Sequence, residues 1–387
     1  MSVTAAEGFV ASGLHAGIKQ ARPDMALLAT DDRVPVTCAA VFTQNLFSAP
    51  PVQLDRALLE ANKGHAAAVV INSGNANAGT GGAGMADARE MGLATAEALG
   101  IDRENVLVCS TGIIGTPLPM DRIRAGIPRL ASSLSREGGG EAALGILTTD
   151  HRAKQVVVRA EGWTIGGMAK GCGMIAPNMA TMLAFLTTDA DVPRETLQAM
   201  LKAASDATFN TLNVDGATST NDTAMLLASG RRGVPSDLDA FARAVREACH
   251  DLTMQMARDA EGMTRIAHLT VTGAATDLEA RVAAKAIAEN NLVKCSWYGA
   301  DPYWGRLLAA AGSAGVALNV ERSAVLYGGI MVAEAGTAIA HDAQGLTEHM
   351  LGEEFQIEVR LGVGTGEARV IGIDLGPGYI KENSVTS

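Results

Sequence analysis

The sequence predicts a mixed α/β fold. Short apolar runs of strand length alternate with amphipathic stretches of helix length, and glycine-rich turns separate them. Of 387 residues, 48% are hydrophobic and 19% are charged. That balance builds a core and excludes wholesale disorder. Aromatics are 4%, against 43 glycines and 16 methionines, so small residues must carry much of the close packing. No apolar run reaches the ~18 residues of a membrane span. Residues 1–20 lack a basic stretch followed by an apolar one, so no signal peptide is expected and the reading is cytoplasmic. The net charge is −11. Without a basic stripe, that argues against nucleic acid as a partner.

Taken in order, residues 66–71 read as a buried strand that ends in the loop Asn72-Ser73-Gly74-Asn75-Ala76-Asn77-Ala78-Gly79-Thr80-Gly81. A helix follows over 85–99. Residues 106–109 form a strand running into Ser110-Thr111-Gly112. Pro117 and Pro119 punctuate the start of a helix over 120–134. Gly138-Gly139-Gly140 reads as a linker. Residues 155–159 and 163–168 pair as strands around a Glu161-Gly162 turn, and 182–187 is a further strand. Asp191 is placed to cap a helix that starts at Pro193 and runs to Ala207. Helices are expected over 238–261, 278–290 and 305–311, and strands over 356–361 and 368–374. Asn213-Val214-Asp215-Gly216 reads first as a turn.

The common chemical motifs are missing. There is no GxxxxGK[ST] phosphate loop and no GxSxG elbow. Gly171-Cys172-Gly173-Met174-Ile175-Ala176 fits the letters of GxGxxA, but Pro177 follows at once, where a dinucleotide site needs a helix to open. The seven histidines include no HExxH and no close pair, so no metal is expected. His250 and His268 read as surface or satisfied side chains. Five scattered cysteines, with no CxxC, read as reduced thiols. Cys172 has only Lys170 nearby to activate it. A different base remains. A threonine that begins a chain can be activated by its own α-amine, which titrates near ~7.7–8.0. That chemistry requires a peptide bond to be cut before a threonine in unusual, glycine-rich surroundings.

One such segment is Lys170-Gly171-Cys172-Gly173-Met174-Ile175-Ala176-Pro177-Asn178-Met179-Ala180-Thr181-Met182-Leu183-Ala184-Phe185-Leu186-Thr187-Thr188-Asp189-Ala190. It resembles the signature of the ornithine acetyltransferase family, the bifunctional glutamate/ornithine N-acetyltransferases of arginine biosynthesis. The likeness runs in order along the chain. Val3-Thr4-Ala5-Ala6-Glu7-Gly8-Phe9, Gly17-Ile18-Lys19, Val41-Phe42-Thr43, the loop from Asn72, Ser110-Thr111-Gly112-Ile113-Ile114-Gly115 and Thr148-Thr149-Asp150 precede the signature. Ser219-Thr220-Asn221-Asp222-Thr223, Asp259-Ala260-Glu261-Gly262, Asp301-Pro302, Trp304-Gly305-Arg306 and the tail over 379–384 follow it.

The resemblance implies self-cleavage between Ala180 and Thr181, giving an α chain of residues 1–180 and a β chain of residues 181–387. It implies layered sheets packed against helices, with the two chains intertwined in one catalytic unit and assembled as two α and two β chains. It implies acetyl transfer from N-acetylornithine to glutamate through acetyl-Thr181, with no bound cofactor and with acetyl-CoA as a second acetyl donor. Thr111 and Gly112 would hold the oxyanion. Thr148, Lys170, Thr181, Glu261, Asn383 and Ser387 would contact substrate, with Thr386 a rival to Ser387. The chain departs from the family's pattern at His151, Tyr303 and Arg265 and in a tail one residue short; none of these is Thr181, Thr111 or Gly112. Two further readings stay open: a monofunctional ornithine acetyltransferase, and an amidohydrolase or aminopeptidase in which the same threonine passes its acyl group to water.

Overall fold

The structure is a computed structural model that describes residues 2–176 and 182–384. The first part of the chain forms β1 (Phe9–Leu14), β2 (Met25–Thr30), β3 (Val36–Phe42), α1 (Pro50–Ala61), β4 (His65–Ala66), β5 (Ala68–Asn75), α2 (Gly81–Leu99), β6 (Val106–Ile113), α3 (Met120–Ser132) and α4 (Gly139–Gly145). The middle forms β7 (Lys154–Ala160), β8 (Trp163–Lys170), β9 (Leu183–Thr188), α5 (Arg194–Ala207), β10 (Leu212–Asn213), β11 (Thr223–Ala228) and α6 (Leu238–Ala257). The last part forms β12 (Ile266–Ala274), α7 (Asp277–Glu289), α8 (Asn291–Tyr298), α9 (Trp304–Gly312), β13 (Ala324–Tyr327), β14 (Ile330–Glu334), β15 (Thr337–Ala338), α10 (Ala343–Met350), β16 (Glu354–Arg360), β17 (Gly366–Ile373) and α11 (Pro377–Asn383).

These strands make three sheets among the described residues, in the orders β1-β2-β5-β6, β4-β3-β11-β9-β8-β7 and β10-β17-β12-β16-β13-β14-β15. Alternation along each strand decides the layers. Met25, Leu27, Val70, Val106 and Val108 share a core with Ala88, Met91, Ile123 and Ile127 of α2 and α3. The intervening Ala26, Leu28, Val69, Ile71 and Leu107 face Met168, Phe185, Met225 and Leu227 of the second sheet. That sheet turns Ile165, Ala184, Leu186 and Leu226 to Leu197, Leu201, Phe241 and Val245 of α5 and α6. The result is helix, sheet, sheet, helix, as the layered reading expects. The third sheet buries Leu269, Val271, Phe355, Ile357 and Val370 against α7, α8 and α9.

The middle sheet draws strands from both sides of the 180/181 junction. β8 and β9 pair antiparallel from Lys170↔Leu183 to Ile165↔Thr188, and β9 and β11 pair parallel. Residues 171–182 connect β8 to β9, so the junction lies beyond the ends of two hydrogen-bonded neighbours.

Several expectations need correction. Gly138-Gly139-Gly140 is no linker: Gly139 opens α4. A Cβ at Gly138 would lie 1.9 Å from the Ala11 carbonyl oxygen, so glycine there permits close packing on β1. Asp191 does not cap α5. Pro193 sits at the start of α5 without a side-chain cap, and the Asp191 N–H instead donates to Gly233 O at 2.8 Å. α6 stops at Ala257, because Asp259 and Glu261 are drawn into the site described below. β5 and β6 run on through Asn75 and Ile113, where polar residues were read as loop. Asn213 belongs to β10, pairing with Gly372.

Candidate active site

The site lies where β6 and β8 end. The parallel register of β5 and β6 sets Ser73 beside Thr111 and Gly74 beside Gly112. Buried polar side chains support this edge, each with a partner, as buried polar groups require. Ser110 Oγ donates to Asn72 Oδ1 at 2.6 Å, and Asn72 Nδ2 to Asn75 O at 2.8 Å. Asn221 Nδ2 donates to Ala76 O at 2.7 Å and Ser110 O at 2.9 Å, tying β11's approach to β6. Gly112 has φ +133°, and a Cβ there would lie 2.3 Å from the Gly74 carbonyl carbon. Only glycine fits that backbone.

Thr111 is 4% exposed. Its Oγ1 accepts a hydrogen bond from Lys170 Nζ at 3.4 Å. An accepting hydroxyl keeps its own proton free to donate, which an oxyanion requires. Lys170 is itself buried, 4.0 Å from Asp150 Oδ2. Asp150 also binds Lys154, and Lys154 binds Asp259, all three inside the protein. Burial opposes the charge on Asp150, but Lys170 and Lys154 hold its carboxyl well below the usual carboxylate range. Asp150 Oδ1 accepts the Gly171 N–H at 2.7 Å. One carboxylate thus orients Lys170 and starts the loop that follows it.

Across the pocket stands Glu261. Its Oε1 accepts from Thr149 Oγ1 at 2.7 Å and its Oε2 from Asn383 Nδ2 at 2.8 Å. Its N–H donates to Cys172 O at 2.9 Å. Gly173 makes room, since a Cβ there would lie 2.2 Å from Glu261 Oε2. Burial pushes the Cys172 thiol up to about 12, which removes it as a thiolate nucleophile near neutral pH.

Both flanks of the junction are pinned by aspartates. Asp215 accepts the N–H groups of Met174 (2.6 Å) and Ile175 (3.0 Å) and the Tyr379 hydroxyl (3.1 Å). Asp222 Oδ1 accepts the Met182 N–H at 3.0 Å.

A pocket of about 470 Å³ gathers Thr111, Gly112, Thr148, Lys170, Glu261 and Asn383. These six residues come from five separate stretches of chain and were all expected at the site. Ala180, Thr181, Thr386 and Ser387 lie outside the described residues. Sequence reasoning gave no role to Thr149, Asp150, Asn221 or Asp222, although all four stand inside quoted motifs. Asp215 was read as a turn residue. A larger groove of about 740 Å³ runs between α6 and the third sheet. Among the described residues it shares no lining residue with this pocket and brings together none of the expected ones.

A model described as the ArgJ family matches residues 10–386. The chain belongs to the ArgJ family. The arginine biosynthesis bifunctional protein ArgJ of Streptomyces coelicolor is 44% identical over 389 residues, covering all of both chains. That of Symbiobacterium thermophilum is 46% identical over 394 residues, 98% of this chain and 97% of the other. That of Mycobacterium tuberculosis H37Rv is 44% identical over 397 residues, 100% and 96%. A crystal structure named as ornithine acetyltransferase complexed with ornithine, from Mycobacterium tuberculosis, is 42% identical. It covers 46% of this chain and 94% of its own, with a TM-score of 0.44. All six pocket residues fall within the span that the ArgJ family model matches.

Proposed function

We propose that this chain is an acetyltransferase of arginine biosynthesis that carries an acetyl group from N-acetylornithine to glutamate by a ping-pong route through Thr181. The observation that carries this reading is the convergence of Thr111, Gly112, Lys170, Glu261 and Asn383 on one pocket. They meet beside the ends of the two strands that flank the 180/181 junction, in a chain alike over its full length to proteins named for arginine biosynthesis.

The chemistry follows from an N-terminal threonine. Cleavage between Ala180 and Thr181 leaves a hydroxyl and an α-amine on one residue. Thr181 Oγ1 attacks the acetyl carbonyl while the amine takes its proton. The oxyanion accepts from the Thr111 hydroxyl and the Gly112 N–H. The C–N bond breaks, the amine returns the proton, and ornithine leaves. Glutamate enters the same pocket, and its neutral amine attacks acetyl-Thr181 through the same oxyanion. The C–O bond breaks, Oγ1 regains a proton, and N-acetylglutamate leaves. Lys170 supplies a positive charge for a substrate carboxylate, and Glu261 a negative one for its amino group. One amide replaces another, so the exchange needs no external energy source. We further assign acetyl-CoA as a second acetyl donor for glutamate, a cytoplasmic setting, and an assembly of two α and two β chains, with Thr148 and Ser387 completing the substrate contacts.

Intact mass under denaturing conditions tests this reading first. Active protein should give two chains meeting at Ala180/Thr181, and Thr181→Ala should stay whole and inactive. Active protein that remains one 39.8 kDa chain rejects the mechanism. With glutamate omitted, free acetate released at the rate of transfer would instead mark a hydrolase, since transfer must keep water from the acyl-enzyme.

A further inference from the structure

Residues 15–24 join β1 to β2 and fold around one carboxylate. Asp24 is fully buried. It accepts the N–H groups of Ala16 at 2.6 Å and of Gly17 and Lys19 at 3.0 Å. The half-buried Lys19 side chain then leaves its own loop. Its stem crosses bare backbone at Gly74, where a Cβ would lie 2.6 Å from Lys19 Cγ. Gly74 is the residue opposite Gly112. The Lys19 ammonium donates to Leu147 O at 2.8 Å, 128 positions along the chain. Arg22 of the same loop donates to Asp150 O at 3.0 Å. Lys19 therefore ends one residue from Thr148, between the two segments that carry Thr148 and Gly112 to the pocket.

Counting charges gives this ammonium a use. Glutamate brings two carboxylates and one amine. Among the described residues that line the pocket, Lys170 is the one cation and Glu261 the one anion. Lys170 is itself shared with Asp150, 4.0 Å away. One carboxylate of glutamate thus finds no positive charge in the lining. Lys154 does not supply it, because it is held between Asp150 and Asp259. Lys19 does. Burial lowers its ammonium from 10.5 to about 8; Asp24 and Asp150 oppose the fall, and Arg22 and Lys170 add to it. It is therefore still charged at neutral pH, and salt screens a partly buried charge less than a surface one.

We propose that Lys19 is a specificity-determining residue whose ammonium, fixed by Leu147 O, favours an acyl acceptor with a second carboxylate over one with a neutral side chain. The proposal deepens the function given above and rests on it. Lys19 acts across Thr148 by its field, not by contact. Two unit charges ~8 Å apart at an effective dielectric of ~20 change a binding ratio tenfold or more.

The test measures kcat/KM for acetyl transfer to glutamate and to glutamine, which has nearly the same shape and a neutral side chain. The ratio of the two does not depend on how much of a variant is folded. Wild type should prefer glutamate. Lys19→Met should lower the ratio by about tenfold, chiefly through KM for glutamate. Lys19→Gln keeps an N–H donor without the charge and should fall as far. Lys19→Arg keeps the charge and should hold the wild-type ratio. The wild-type ratio should also fall as pH rises through about 8, where Lys19 discharges, while that of Lys19→Arg should not. An unchanged ratio in Lys19→Met or Lys19→Gln, or the same pH course in wild type and Lys19→Arg, overturns the proposal and leaves the acetyltransferase reading standing. Wild-type protein that transfers acetyl to neither amino acid overturns both.

Discussion

Asn383 Nδ2 donates to Glu261 Oε2 at 2.8 Å, joining residues 122 positions apart. The short helix α11 is thereby fastened to the acid on the far side of the pocket from Thr111. Asn383→Ala leaves the Glu261 carboxylate with the Thr149 hydroxyl and the Cys172 thiol, both on Oε1, and nothing among the described side chains on Oε2. Hydrogen bonds to charged groups are worth about 1.5–3 kcal/mol, so KM for glutamate should rise about tenfold or more while kcat changes little. Steady-state kinetics checks this. An unchanged KM would remove Asn383 from substrate binding.

The two proposed oxyanion donors can be separated by two substitutions. Thr111→Ala removes one donor and should lower kcat by on the order of 10² with the fold intact. Gly112→Ala sets a Cβ against the Gly74 backbone at 2.3 Å, so the β5–β6 edge must shift. It should cost activity and melting temperature together. Equal melting for the two variants would refute the packing argument.

Lys154 has a fully buried side chain between Asp150 and Asp259. Removing one member of a buried ion cluster leaves uncompensated charge. Lys154→Ala should destabilise the protein by about 3–5 kcal/mol, read from denaturant unfolding. A loss below about 1 kcal/mol would mean that water reaches the carboxylates.

Much of the architecture was legible in the sequence, and the reason differs by element. Strands β7, β8, β9 and β17 and helices α3, α5, α7 and α9 have clear periodicity and were placed within a few residues. The end of β5 and the end of β6 were read as loop. Their asparagines and serines are poor strand formers that persist because Ser110, Asn72 and Asn221 bond one another and the backbone. No local pattern reveals such tertiary bonds. The site residues Thr111, Gly112, Lys170, Glu261 and Asn383 came from the family resemblance. Taken alone, Lys170 and Glu261 would pass for solvated charges, yet both are buried. Thr149 and Asp222 had a signal in their motifs, but their roles depend on distances that a sequence does not contain.

Lys294 donates to the carbonyls of Val214 and Ile373 inside the protein. Burial lowers its ammonium from 10.5 to about 8, against the pull of Asp215 and Asp374. Between about 8 and 10.5 the unfolded chain therefore holds a proton that the folded chain has released. More protons bound to the unfolded state means that stability rises with pH there. The unfolding free energy of wild type minus that of Lys294→Met should climb across this window. A flat difference would show that Lys294 keeps its charge in the fold.

The central sheet is stitched from both sides of the proposed cut, with β8 against β9 and β3 against β11. Severing residue 180 from 181 would remove the tether without separating the strands. Denaturation of the processed enzyme then becomes a dissociation, and its melting temperature depends on protein concentration. Renaturation turns from a first-order event into a second-order search of one polypeptide for the other. If the chain is cut as proposed, the unprocessed chain is the folding template and the processed enzyme its kinetically stranded product.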